Sequence, residues 1–275
     1  MTPDEPRVNA DDRPIALVVA MESELRHFLD RVEPVETRHA GPWRDDVVRY
    51  AGQKIVALCS GIGMVNAAAG TEHVIAAWNP RLVLNFGCAG AHRRDLMPGD
   101  VVIGAGTVHH GAVHILANGE EYFPDRSYSV TGETVASTEL DADPALLALA
   151  QAAARDWQPE PWPRTLGWPA DVAPRPAKVE TGVVASADIW TQFHERLDAL
   201  HGRHQSLCED MEAAAIAQVC GRHGVPFLTV KDVSNNEFHA TSNLKGDIDV
   251  LPASEIGKRA AELLLRMIAG MDGAS

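Results

Sequence analysis

Acids cluster where apolar runs give way to helices. Ile15 to Ala20 (IALVVA) is followed by Met21-Glu22-Ser23-Glu24, and Leu207-Cys208 by Glu209-Asp210-Met211-Glu212, after which an alanine-rich helix begins. A third apolar run, Pro226 to Val233, ends in Ser234-Asn235-Asn236. In an open α/β sheet, ligands bind beyond the carboxyl ends of the strands, so these are the positions where side chains able to hold or move protons can act. One such acid is weak evidence. The helix dipole alone favours a carboxylate at a helix start, which would account for Glu212 without any chemistry. Three histidines, His109, His110 and His114, form a second concentration of reactive groups. His110 and His114 share a face only in a helix, while Gly106, Gly111 and the flanking valines argue for strand and loop; no zinc site is expected there, only a surface or pocket-wall role.

The elements that must position these groups follow a regular order. Ile15 to Ala20 has the uninterrupted apolar pattern of a strand buried on both faces, and a helix runs from its acids to about Asp30. Tyr50 to Cys59 reads as a strand, Ser60-Gly61-Ile62-Gly63 as a glycine turn, and Met64 to Trp78 as a helix stopped by Asn79-Pro80. Leu82 to Phe86 is another buried strand, ending in an expected glycine loop, Gly87-Cys88-Ala89-Gly90. A strand from Val101 to Ile103 follows Pro98-Gly99-Asp100. A helix is expected from Leu140 to Ala154, with Asp143-Pro144 as cap and first position. Val179 to Ser186 is a strand leading through Ala187-Asp188-Ile189-Trp190 into a helix to about Leu200, and Ser254 to Met271 forms an amphipathic closing helix. Strand, glycine turn, helix and strand in this alternation predict an α/β fold with a largely parallel sheet.

Composition bounds the rest. The chain has 275 residues, 45% of them hydrophobic, enough for one large α/β domain. A net charge of −14 argues against a nucleic-acid binder, which needs clustered Lys and Arg. The four cysteines lack CxxC spacing and sit in apolar surroundings, as reduced thiols of a cytoplasmic protein would. No apolar run reaches the ~18 residues of a membrane span. Residues 1–13 read as a flexible polar leader and 14–272 as the domain. Within it, Asp156 to Lys178 carries Trp157, Trp162, Trp168 and six prolines, which exclude a regular helix or central strand. This insertion is a long loop, either a lid or a packed connector.

Six short motifs occur together: Ala20 to Glu24, Ser60 to Gly63, Asn85 to Gly90, Ser186 to Trp190, Asp210 to Ala213 and Val230 to Asn235. In this order they resemble the nucleoside phosphorylase and nucleosidase superfamily, most closely its methylthioadenosine/S-adenosylhomocysteine nucleosidase branch, over about Pro14 to Ala269. The resemblance implies a single-domain three-layer αβα sandwich with a mixed, mostly parallel sheet. It also implies cleavage of a ribose–purine bond with no metal or organic cofactor, and a homo-oligomer, with Thr107 to Pro124 contributing to a neighbour's pocket. That reaction passes through an oxocarbenium-like sugar, so a nucleophile, a counter-charge and help for the departing base are needed. By resemblance Glu24 is the general base for water, Glu212 binds the ribose hydroxyls, Met211 packs on the sugar, and Asp210 and Lys231 lie nearby. Cys88, Ala89 and Gly90 line the site, while Ser186 and Trp190 belong to the base pocket with Ser234 and Asn235. By the same resemblance His110 falls in a loop near the pocket mouth or the partner subunit.

Two departures refine the expectation. Where the superfamily's phosphorylases bind phosphate with an Arg near a Gly-Ser element, this chain has Asn85 and Cys88, which favours water over phosphate provided that neither Arg44 nor Arg49 reaches the site. Where adenine-releasing nucleosidases carry Ser-Asp, it has Ser234-Asn235. Asn cannot deliver a proton but can donate to purine N7, as the resemblance implies for 6-oxopurine phosphorylases and futalosine-type hydrolases. Asp232 is expected on the opposite face of its strand. The expected activity is therefore a purine nucleoside N-ribosyl hydrolase acting on methylthioadenosine/S-adenosylhomocysteine- or futalosine-like substrates; a purine nucleoside phosphorylase and a non-catalytic nucleoside-binding protein are the alternatives.

Overall fold

The computed structural model describes residues 13–124, 126–128, 133–136, 139–239, 241 and 251–271. The expected leader therefore lies, apart from Arg13, outside the described residues. In chain order the elements are β1 (Ile15–Val19), α1 (Glu22–Leu29), β2 (Glu33–Ala40), β3 (Trp43–Tyr50), β4 (Gln53–Cys59), α2 (Met64–Trp78), β5 (Leu82–Ala91) and β6 (Val101–His109). Two short pairs follow, β7 (His114–Ile115) with β8 (Glu121–Tyr122) and β9 (Arg126–Tyr128) with β10 (Thr134–Ala136). The chain continues through β11 (Glu139–Asp141), α3 (Pro144–Ala154), β12 (Val179–Ser186), α4 (His194–His204), β13 (Ser206–Asp210), α5 (Ala213–His223), β14 (Phe227–Asn235) and α6 (Lys258–Ala269).

Every residue of β1 is buried, as its unbroken apolar run requires, and it pairs in parallel with β4 on one side and β5 on the other. The two-residue period of the strand divides its side chains between two cores. Ile15, Leu17 and Val19 pack with Leu25 and Phe28 of α1, Leu146 of α3 and Leu264 of α6, while Ala16 and Val18 pack with Val74 of α2 and Ile216 of α5. This is the three-layer αβα sandwich on a mixed sheet. The sheet order is β11-β6-β12-β13-β5-β1-β4-β3-β2, with β14 inserted between β5 and β6. Because β5 joins β13 through Gly90 and Ala91 and joins β14 through Val83 to Gly90, the pairings β5–β14–β6–β12–β13–β5 close into a ring of strands.

Several local expectations are corrected. Gly87 to Gly90 is not a loop but the second half of β5, held there by partners on β14 and β13. Ala51-Gly52, both at positive φ, form a turn that separates Tyr50 from β4. Glu33 to Tyr50 builds the β2–β3 hairpin, whose outer strand has all eight residues exposed and so carries no apolar alternation to betray it. Leu140 lies in β11, and the helix begins at Pro144, capped by Asp143, whose side chain accepts from Ala145 and Leu146 N–H. The last helix starts at Lys258 rather than Ser254.

The segment 156–178 holds no helix or strand and is a packed connector. Trp157 Nε1 donates to Glu262 (2.9 Å), Trp162 Nε1 to the Leu166 carbonyl (2.6 Å) and Trp168 Nε1 to the Val172 carbonyl (2.9 Å). Arg175 grips buried Asp100, and buried Arg259 donates to the carbonyls of Glu160 and Pro161.

Candidate active site

Glu24 sits in the first turn of α1, delivered by β1, and is 2% exposed. Its Oε1 accepts from Cys88 N–H at 2.7 Å, while Oε2 is buried and accepts no hydrogen bond among the described residues. The carboxylate lies so close to β5 that a Cβ on Gly87 would stand 2.9 Å from Oε1. Burial raises its pKa; the nearby Lys231 ammonium and the Cys88 contacts oppose that rise.

Glu212 precedes α5 but does not cap it. Its Oε1 accepts from Gly63 N–H at 2.9 Å, across the glycine turn before α2, and Oε2 from Met211 N–H at 3.3 Å. Burial first, and then the Asp210 charge, push its pKa up to about 7, with Lys231 pulling the other way. Lys231 is buried on β14 with Nζ 2.7 Å from Asp210 Oδ2. Burial is the largest single influence on this ammonium and lowers its pKa, but Asp210, Glu212 and Glu24 together hold it above the usual lysine value. Asp210 itself is saturated: Ser186 Oγ donates to Oδ1, and Ala213 N–H donates to Oδ2 beside the lysine. Ser186 Oγ in turn accepts from Ala214 N–H, so the Ser186–Asp210 pair locks β12, β13 and the start of α5 together.

At the other end stand Ser234, Asn235 and Trp190. Ser234 Oγ donates to Asn235 Oδ1 (2.7 Å), and Asn235 Nδ2 donates to Oε1 of Glu237 (2.8 Å), a residue in the 3-10 turn Glu237–His239 after β14. Trp190 Nε1 reaches the same oxygen at 3.4 Å, and the residue is 36% exposed. Ala89 and Gly90 approach as bare backbone: the Ala89 carbonyl lies 3.3 Å from Ser234 Oγ, and a Cβ on Gly90 would lie 3.3 Å from Asn235 Nδ2. Asp188, beside Trp190, accepts from Met64 N–H at 2.7 Å and so fixes the base-side loop to the start of α2.

Other candidates fall away from this cluster. Asp232 does face the other side, accepting from Gly257 and Arg259 N–H at the start of α6, and burial pushes its pKa up to about 7. His110 is not at a mouth but in the interior, with Nε2 3.6 Å from Glu209, and burial drives its pKa down to about 4. Glu209 also accepts from Thr191 N–H (2.7 Å) and contacts His92 (3.1 Å), tethering the segment next to Trp190. Among the described residues no group of three or more His, Cys, Asp and Glu is placed to hold a metal ion.

At the positions that would serve phosphate, Asn85 spends its amide on the Val18 carbonyl and on Thr229 Oγ1, and burial pushes the Cys88 thiol well up, keeping it neutral. Arg44 is half-exposed and paired with Asp46. Three buried carboxylates, Glu24, Asp210 and Glu212, thus gather around the buried Lys231 at the strand ends of a three-layer αβα sandwich, a concentration of perturbed charges of the kind found at functional sites.

The chain belongs to the phosphorylase superfamily, whose sequence profile matches residues 14–269. It is 32% identical over 222 residues, 80% of this chain and 85% of the relative, to a 5'-methylthioadenosine/S-adenosylhomocysteine nucleosidase of Bacillus thuringiensis (strain Al Hakam). The nucleosidase of that name from Neisseria meningitidis, solved in complex with methylthio-immucillin-A, superposes with a TM-score of 0.72 at 27% identity, covering 94% of this chain and 100% of that one. The futalosine hydrolase of Helicobacter pylori has the same fold, with a TM-score of 0.72 at 22% identity over 94% of this chain and 99% of that one.

Proposed function

We propose that the chain is a purine nucleoside N-ribosyl hydrolase, with Glu24, Glu212 and Asn235 as its working side chains. The observation that carries the reading is Glu24 Oε2, a buried carboxylate oxygen with no hydrogen-bond partner among the described residues, on a group whose proton affinity burial has raised. A general base works best when its pKa is brought towards neutrality, and this oxygen can accept a proton from an attacking water. Glu212 accepts the ribose hydroxyls and, with Asp210 behind it, sets negative charge beneath the developing oxocarbenium ion, with Met211 alongside. Lys231 balances the carboxylates rather than binding an anion, since its ammonium is spent on Asp210. That argues for water over phosphate.

Measuring free base and sugar released from methylthioadenosine, inosine and futalosine, with and without phosphate, tests the reaction. Phosphate-independent release of free ribose sugar is expected; strict phosphate dependence with a sugar 1-phosphate product overturns it. The reading carries a cytoplasmic, homo-oligomeric protein whose single catalytic domain spans 14–272, with the Trp/Pro-rich connector built in. Met64, flanked by the exposed Ile62 and Val65 (45% and 77%), donates to Asp188, the neighbour of the exposed Ile189 (38%), and these apolar side chains form a rim next to the site that suits a second subunit.

A further inference from the structure

We infer that Asp232 is a positioning residue for the general base: it clamps the first turn of α6, and that turn, through Gly257, holds the stem of Glu24 so that Oε2 can meet the attacking water. The inference rests on the hydrolase reading's assignment of Glu24 and adds to it the device that aims the carboxylate.

The start of α6 cannot cap itself. Gly257 stands at its N-cap in the left-handed region (φ +75°) and has no side chain to offer the first N–H groups, which find no partner within a helix. Asp232 on β14, 25 residues earlier, supplies the acceptors: Oδ1 takes the Gly257 N–H at 2.8 Å and Oδ2 the Arg259 N–H at 3.1 Å. Its negative charge also suits the positive end of the helix. The Arg259 guanidinium adds its charge at 4.0 Å from Oδ2 but makes its hydrogen bonds elsewhere, to Glu255 and to the Glu160 and Pro161 carbonyls. What Asp232 holds is therefore the backbone of the turn.

On its other side the same glycine meets the base. A Cβ on Gly257 would stand 3.0 Å from both Cβ and Cγ of Glu24 and 3.4 Å from its Cα, so the turn and the stem are already in contact. That contact matters because a glutamate has several free torsions: the bond from Cys88 N–H fixes Oε1 and leaves the rest of the side chain to pivot. Gly257 removes this freedom. Asp232 and Cys88 are also direct partners in the β14–β5 ladder, so one rung carries both the clamp on α6 and the N–H that grips Oε1, and strand register sets the spacing of the two grips. A cap serving only the helix could be a Ser, Thr or Asn at the N-cap itself. Glu24 closes that solution, because its stem leaves no room for a Cβ. The cap comes instead from a carboxylate whose pKa burial pushes up to about 7 against the Arg259 charge and the two N–H groups, with Glu24 adding to the rise.

The test is a double-mutant cycle in the purified full chain, reading free base from whichever of methylthioadenosine, inosine and futalosine the wild type cleaves. Asp232→Asn keeps one acceptor but turns an N–H against the other donor, and Gly257→Ala sets a methyl group against Glu24. Each should lower kcat by about ten- to a hundred-fold, as misplacement of a catalytic group does, with KM within a few-fold. In a Glu24→Gln background neither should lower the residual rate by more than about two-fold, because the group they aim is gone. A merely structural role gives losses of the same size in both backgrounds; that result, or a wild-type kcat in Asp232→Asn, overturns the inference. If Asp232→Asn does not fold, Gly257→Ala carries the cycle alone. If no nucleoside is cleaved, the hydrolase reading fails and crystal structures of the variants decide. Glu24 displaced from Cys88 N–H with α6 still formed upholds the clamp, and Glu24 in its wild-type place ends it.

Discussion

Glu212 is held in a state that the folded protein does not favour. Its pKa rises from 4.5 in the free side chain to about 7, so the native state binds its proton more tightly than the unfolded chain does. Its contribution to stability is complete below about pH 4.5 and is lost as pH rises to about 7. Glu212→Gln, which can still accept from Gly63 N–H, should therefore be more stable than the wild type above pH 7, by on the order of 2 kcal/mol, with the difference vanishing below pH 4.5. Denaturant melts at both pH values measure this. The same variant should lose turnover by at least about 100-fold, since its charge is gone from beneath the sugar. Glu24→Gln should lower kcat by about 10²–10⁴, the usual worth of a general base. In the wild type, activity should fall with decreasing pH along a limb displaced above the ordinary carboxylate range, because Glu24 is raised; a pH–rate profile whose limb lies at the free value would contradict that role. The positions of Glu24 and Glu212 at strand ends were legible because apolar runs stop beside them. The pairing of Lys231 with Asp210 was not, because a sequence does not record which charges meet across strands.

At the scale of elements, the site depends on two places where a strand or turn has no side chain. A Cβ on Gly87 would come within 2.9 Å of Glu24 Oε1, and one on Gly63, at φ +101°, within 2.8 Å of Asp188 Oδ1. Gly87→Ala should displace the general base while β5, buried between partners, stays intact: kcat falls by ten- to a hundred-fold with little change in melting temperature. A drop in stability as large as the loss in rate would show that the glycine serves packing instead. Gly87 also explains why the strand was read short. Gly-Cys-Ala-Gly has turn composition, and only neighbours on β14 and β13, remote in sequence, hold it extended. The β2 strand was missed for the opposite reason: with no residue buried, it has no alternation to read.

For the whole molecule, the sandwich was legible from unbroken apolar runs alternating with helices, whereas the ring of strands was not, since its closure depends on β5 bonding three different partners. The apolar rim beside the site bears on assembly. Light scattering should give a dimer or higher species, and Val65→Glu should shift it towards monomer with reduced activity; a wild-type monomer would remove the oligomer from the reading. No described helix is long and apolar enough to cross a membrane.

The closed ring also sets an order of assembly. β5 is made early and must wait for β14, about 145 residues later, to fill the gap beside it. Contacts that distant form late, because the intervening chain must be gathered first. Glu24, Asp210 and Glu212 are all synthesised before β14, and β14 carries Lys231. The strand that completes the ring thus also delivers Lys231 to these acids, so the like charges are drawn together in the step that brings their counter-charge, and a nascent chain stopped short of β14 has neither a finished sheet nor a working site.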